Sequence, residues 1–398
     1  MESFEASLAK ATERGSNKGV AGAVVAVVDK TGKFIYRHVQ GSNGVSEQAP
    51  PLQFDQTYFV ASCTKLIASI AALQCVERGL IALDDPLDKH LPEFTSQQII
   101  KTKDDGSFTL HDAKNPVTLR HLLTHSSGAA YTQFIPSLVA WRKSQGHKPE
   151  FVMGEDVAEK YPEPRLFEAG EGWMYGASLD WAGLLVSRLT GQSLGTYVEQ
   201  NIATPLNITS FTWNPASKPQ VKEKLMTMSV RKEDGTLVDS TEPIASLESE
   251  NGGAGMYSNI EDYTRVLVDL LQDNPKTLKK ETVEMIFSPQ FANGGPEQQA
   301  MIPVGDMTWA THTGRIAKGV TPNYSLAGYF VTEDVERADF LIPKGTLTWS
   351  GLPNLQWAVN RERGIGYMFC TQILPWNDDV SQSLSAEFCT AVWRNLVK

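Results

Sequence analysis

Strand patterns stand at the two ends of this chain, and helical patterns fill the space between them. Near the start, "GVAGAVVAVVDKTGKFIYRHVQG" predicts two strands joined by a turn at Asp29-Lys30-Thr31-Gly32. Near the end, "SLAGYFVT", "GTLTWSG", "NLQWAVN" and "GIGYMFCT" carry strand signals, and a last helix is expected over about Ser381 to Leu396. Between them lie three clear helical patterns. One runs from Ser62 to about Arg78 and is ended by Gly79. "SLDWAGLLVSRLTG" is closed by Gly191, and "IEDYTRVLVDLLQD" follows. The economical solution is an α/β (α+β) fold. Its antiparallel sheet is built from N- and C-terminal strands (residues 1–80 and about 325–398) and flanked by helices. A mostly helical, loop-rich lobe, about 81–324, is inserted between them. At 398 residues the chain is too long for one small core, which points to one large composite domain or two intimate ones; the whole of 1–398 is expected to act as a single unit. Phe291–Thr321, with "NGGPEQQ", is expected to be loop and to line a cleft.

Charge and composition narrow the function classes. A formal net charge of -10 repels nucleic acid and anionic membrane surfaces. No stretch reaches the roughly 18 apolar residues of a membrane span. The first residues, "MESFEASLAKATERGSNKG", lack the basic start and apolar core of a signal peptide, so a cytoplasmic location is expected. Cys63, Cys75, Cys370 and Cys389 form no C-x-x-C pair and are expected to be free thiols. Asn207 and Asn323 head glycosylation patterns that, without a secretion signal, are expected to be chance matches.

The stretch "YFVASCTKLIA" raises the chemical question, because Ser62 stands three residues before Lys65 in an apolar run. Two other S-x-x-K pairs exist. Ser7–Lys10 lies in a polar terminus expected to fray, and Ser229–Lys232 lies in "MSVRKEDG", read as a charged turn. Only Ser62 opens an apolar helix. Two readings are open there. Ser62 can cap the helix while Lys65 reaches back to solvent. Alternatively, the spacing puts an amine beside a hydroxyl on one helix face. A serine is a poor nucleophile until its proton is removed, and an unprotonated lysine can remove it. The helix start adds unpaired N–H groups that can hold an oxyanion.

No H-E-x-x-H or Walker loop occurs in the chain. Tyr175, in "WMYGASLDWAG", stands just before a helix, where a phenol could relay a proton. Tyr257, in "GAGMYSNIEDY", fits the same three-letter pattern, and each could equally be a packed aromatic. His121 and His125, in "LRHLLTHSSG", are four apart but lack an acidic third ligand, so a structural role and no metal are expected. Gly252, Gly253 and Gly255 are expected to allow close backbone approach near the cleft.

Taken in order, "ASCTKL", "ERGLIALDDPLDKHLPE", "VTLRHLLTHSSG", "WMYGASLDWAG" and "LTWSGLPN" resemble the motifs of the serine β-lactamase and penicillin-binding superfamily, from about Gly22 onward. The closest group is the class C-like esterases and transesterases. "LQCVERGL", "YGASLDWAG" and "PWND" are similar to the lovastatin-type acyltransferases of fungal polyketide pathways. The resemblance implies Ser62 as nucleophile and Lys65 and Tyr175 as its acid–base partners, choosing Tyr175 over Tyr257. It implies an oxyanion hole from the backbone N–H groups of Ser62 and of the strand residue Leu352. No cofactor is implied.

Two departures from that pattern bear on substrate. Ala177 stands where the family's Tyr-x-Asn motif has asparagine, and Trp349-Ser350-Gly351 replaces Lys-Thr-Gly. That lysine helps relatives bind a carboxylate, and an indole suits an apolar group instead. Trp349, Ser350, Gly351, Ala177 and Trp376 are therefore expected at the substrate. The expected reaction moves an acyl group from an ester, an acyl thioester or an acyl carrier protein to a small-molecule alcohol, such as a polyketide, through an acyl-Ser62 intermediate. A hydrolase on the same machinery and a non-catalytic scaffold are the alternatives. No nucleic-acid or membrane partner is expected, and the oligomeric state is not readable.

Overall fold

The computed structural model describes residues 1–14, 18–147, 156–240 and 250–397. A six-stranded antiparallel sheet forms its backbone, ordered β2-β1-β6-β5-β4-β3. The strands are β1 (Gly22–Asp29), β2 (Phe34–Gly41), β3 (Tyr329–Phe330), β4 (Thr346–Gly351), β5 (Leu355–Asn360) and β6 (Ile365–Cys370). The β1–β2 turn forms where the sequence predicts it. The Asp29 carboxylate accepts from the N–H and hydroxyl of Thr31 and from the N–H of Lys33, while Gly32 takes φ +83°. β1 then pairs with β6, Val24 opposite Cys370 and Val27 opposite Tyr367, so the two chain ends share one sheet.

Both faces of that sheet are covered, which explains why β1 and β6 read as nearly continuous apolar runs. On one face lie α1 (Glu2–Ala11) and α5 (Asp379–Asn395). Phe388 of α5 packs on Tyr367 and Phe369 of β6 and on Phe4 of α1. The alternate residues of β6 face the other way, where Gly366 meets Leu267 of α4 (Ile260–Leu271). Beside it lies α2 (Thr64–Glu77), buried from Thr64 through Cys75 and packed against α3 (Ser178–Thr190) of the helical lobe. A helix apolar on every side must be wrapped, and α2 is where sheet and lobe meet. No helix among the described residues is long and apolar enough to cross a membrane. All four cysteines are buried and unpaired.

Several local expectations change. The N-terminus is not frayed: α1 buries Phe4 and Leu8, and Ser7 donates to Glu387 of α5. Ser229 lies in a strand, Ser229–Arg231, with its hydroxyl on Asp239, because the charged turn begins only after Arg231. Phe291–Thr321 is not a bare loop. It holds a helix, Pro296–Met301, and two 3₁₀ segments, Ile302–Met307 and Ala310–Thr313, seated by buried Met301 and Trp309. Of "SLAGYFVT", only Tyr329 and Phe330 pair as strand.

Candidate active site

After the strand Thr57–Phe59 the chain turns sharply, and Ala61 takes φ +45°. A non-glycine residue is strained there and persists only where packing over-determines it. A 3₁₀ segment, Ala61–Cys63, follows, and α2 begins at Thr64. Neither start has a side-chain cap, so the Ser62 hydroxyl is not used for capping. Lys65 is only 3% exposed and does not reach solvent. The structure thus departs from the capping-and-snorkelling reading.

The Ser62 hydroxyl is met from two sides. Lys65 Nζ lies 3.3 Å from Oγ, and the Tyr175 phenol donates to Oγ at 2.6 Å. Lys65 also donates to the Gly253 carbonyl at 2.6 Å and to the Tyr131 hydroxyl at 3.1 Å. Its Nζ stands 4.7 Å from the centre of the Tyr175 ring, a favourable cation–aromatic contact. Tyr131 in turn donates to Asp180 in the first turn of α3. Burial, with the charge of Asp180, pushes the Tyr131 hydroxyl well above the usual phenol range, so it stays protonated.

The other wall comes from the end of β4. A Cβ on Gly351 would sit 2.6 Å from the Val60 carbonyl oxygen. Only glycine lets this strand end approach the turn that carries Ser62. Leu352 follows in a turn just beyond β4, not in the strand as expected, and its side chain is 42% exposed. Among the described residues, neither the Ser62 nor the Leu352 amide donates a hydrogen bond. Both residues line the same cavity, and free N–H donors are what a developing oxyanion requires.

A cavity of about 410 Å³ opens from Ser62. Trp349, Ser350, Gly351, Leu352 and Trp376 line it with Tyr131, Tyr175, Phe134 and Met307. No charged side chain lines it among the described residues. Trp349 is held against Tyr175 at 5.2 Å and stacked on His312 at 4.9 Å between ring centres. Met307 and Thr308 bring the Phe291–Thr321 segment to the cleft. Ala177 does not reach it. It is buried at the start of α3 and is not among the cavity's walls.

The remaining candidates sort by contact. Tyr257 packs on Phe59 at 5.3 Å and makes no hydrogen bond to Ser62. His121 closes a capping box with Thr118 on the helix Leu119–Leu123. His125 packs 5.0 Å from Tyr175, and its Nδ1 accepts from the Gly176 N–H. Burial, and then the charge of Lys65, holds His125 far below the ordinary imidazole range, so it is neutral. No cluster of three metal-ligating side chains occurs among the described residues. Sequence reading missed Tyr131, Asp180 and the Gly253 carbonyl. An acid inside the apolar "SLDWAGLLV" was the one available signal, since buried carboxylates are rare without partners.

The beta-lactamase family profile matches residues 8–390. The chain is 36% identical to "Acyltransferase calJ" of Penicillium decumbens, covering 97% of this chain and 96% of that one. It is 33% identical to "Monacolin J acid methylbutanoyltransferase" of Aspergillus terreus, covering 95% and 92%. Among solved structures, unliganded simvastatin synthase from Aspergillus terreus superposes with a TM-score of 0.86 at 30% identity, covering 98% of this chain and 97% of that one.

Proposed function

The chain belongs to the beta-lactamase family, and on that premise we propose that it is a serine acyltransferase carrying an acyl group on Ser62. One observation carries the reading. A half-buried hydroxyl is contacted by an amine and a phenol and opens on a cavity whose described walls carry no charge.

Ser62 Oγ attacks the carbonyl carbon of an ester or thioester as its proton passes to Lys65. The carbonyl oxygen, now anionic, sits on the N–H groups of Ser62 and Leu352. The intermediate collapses, the Oγ–C bond remains, and the leaving group departs with the proton returned through Lys65 and Tyr175. An acceptor hydroxyl then attacks the acyl carbon, gives its proton to the same pair, and frees Ser62. The names of the relatives, an acyltransferase and a methylbutanoyltransferase, support acyl transfer; on this reading the acceptor is an alcohol of polyketide type and the donor a small-molecule ester, an acyl thioester or a carrier-protein thioester. The indole at 349 and the lack of charge on the described walls favour uncharged acyl groups. Water resolving the same acyl-enzyme gives the hydrolase alternative.

The test is intact mass after mixing with a short acyl thioester, followed by addition of alcohol. An adduct located on Ser62, absent in Ser62→Ala and released as ester by the alcohol, is expected. An adduct on Ser7 or Ser229, or turnover without any adduct, overturns the assignment.

A further inference from the structure

Lys65 has a precise hydrogen-bond requirement if it is to take a proton. A neutral amine has two N–H groups and one lone pair. Three partners surround Nζ: the Gly253 carbonyl, the Tyr131 hydroxyl and the Ser62 hydroxyl. The lone pair faces Ser62 only if the first two both accept. A carbonyl always accepts. A phenol accepts here only when its own proton is committed elsewhere.

Asp180 commits it. Its Oδ2 takes the Tyr131 hydroxyl proton at 3.3 Å. Its Oδ1 takes the Gly253 N–H at 3.3 Å, fixing the peptide whose carbonyl Lys65 also uses. Contact at Gly253 is so close that a Cβ there would lie 2.2 Å from Oδ2. One carboxylate therefore holds both groups that hold the lysine, from the first turn of the helix that Tyr175 precedes. We propose that Asp180 is a positioning residue for this reaction: by fixing Gly253 and the direction of the Tyr131 O–H, it turns the Lys65 lone pair toward Ser62. The inference rests on the serine reading above.

Asn in place of Asp reverses this polarity. Its NH₂ can donate to Tyr131, whose proton then points at Lys65 and occupies the lone pair. It also removes a negative charge from a pocket where Lys65, Lys160, Tyr131, Tyr161, Tyr175 and His125 gather.

The experiment is single-turnover acylation of the full chain by an uncharged aryl ester, read as acyl-Ser62 by mass, for wild type, Asp180→Asn, Tyr131→Phe and the double variant. Asp180→Asn is expected to slow acylation about 100-fold, with ester affinity unchanged, as for a misplaced catalytic group. Its acid limb in the pH–rate profile should move to lower pH, because a carboxylate that favours the ammonium is gone. In the Tyr131→Phe background the same change should cost several-fold less, since one of its two routes to Lys65 is already cut. Acylation within about threefold of wild type with an unmoved profile overturns the proposal, as does a double variant whose loss is the full product of the two. Should Asp180→Asn not fold, Tyr131→Phe decides: an unaltered acylation rate there overturns the proposal. A wild type that never acylates Ser62 removes the serine reading instead, and this inference with it.

Discussion

The Tyr175 phenol and the Ser62 hydroxyl lie 2.6 Å apart, although 113 residues separate them in the chain. Tyr175 reaches this position because it stands just before α3, which begins at Ser178 and packs along α2. Lys65 lies in the first turn of α2, and Ser62 immediately precedes that turn. The contact places a donor on the Ser62 oxygen while an amine meets the same oxygen from another side. On the proposed mechanism it would give the leaving group a proton source without moving the serine.

Tyr175→Phe is expected to lower the turnover rate by about two to four orders of magnitude, the range of general acid–base contributions. Tyr257→Phe should do little, since that hydroxyl does not contact Ser62. The comparison is kcat for both variants at matched folding. Loss only at Tyr257 reverses the assignment.

Lys65→Arg is expected to be nearly as damaging as Lys65→Ala. A guanidinium keeps the charge but cannot give up its proton at working pH. Acylation rates of the two variants decide it. Most activity surviving in the arginine form means that position 65 supplies charge rather than proton transfer.

Gly351→Ala is expected to slow acylation about 100-fold, comparable to losing one oxyanion donor. The new methyl meets the Val60 carbonyl oxygen and pushes the strand end, with the Leu352 N–H, away from Ser62. A modest loss of stability, about 1–3 kcal/mol, should accompany it. Denaturant melts and burst kinetics separate the two effects. Normal acylation by the variant would falsify the role given to the Leu352 amide.

A penicillin should be a poor substrate beside an uncharged aryl ester. Its carboxylate would face Trp349 in a cavity whose described walls carry no charge, a penalty of roughly 3–5 kcal/mol by the general cost of leaving a buried charge unpaired. The measurement is kcat/KM for both compounds side by side. Preference for the penicillin sinks the pocket argument.

Acid should weaken the fold through His312. It is fully buried against Trp349 and Tyr329, and burial pushes its imidazole down to about 3. The unfolded chain titrates near 6.5. Between these values the unfolded state binds the extra proton, so His312's contribution is complete above about pH 6.5 and falls as pH drops. From pH 7.5 to 5 the loss is on the order of 2 kcal/mol. Denaturant melts at both values should show a smaller drop for His312→Phe. Parallel losses in variant and wild type would place the effect elsewhere.

Much of this was legible because it depends on local periodicity. Alternation and apolar runs mark β1, β2 and β4–β6, and Gly79 and Gly191 mark helix ends, since strands and helices impose periods that a sequence displays. Where tertiary packing overrode local polarity, the reading failed. α1 is polar outside but anchored by Phe4 and Leu8, and the Gly-rich Phe291–Thr321 segment is seated by Met301 and Trp309.

The site divides along the same line. Ser62 and Lys65 are three apart, one helical turn, so the sequence alone determined that amine and hydroxyl could meet. Everything else at Lys65 comes from far along the chain: Tyr131 at a separation of 66 residues and Gly253 at 188. Such contacts are fixed by how α2, α3 and the sheet pack, not by the preferences of neighbouring residues. The contact of Tyr175 rather than Tyr257 with Ser62, the burial of Lys65, the exclusion of Ala177 and the place of Asp180 were therefore decided only by the tertiary structure.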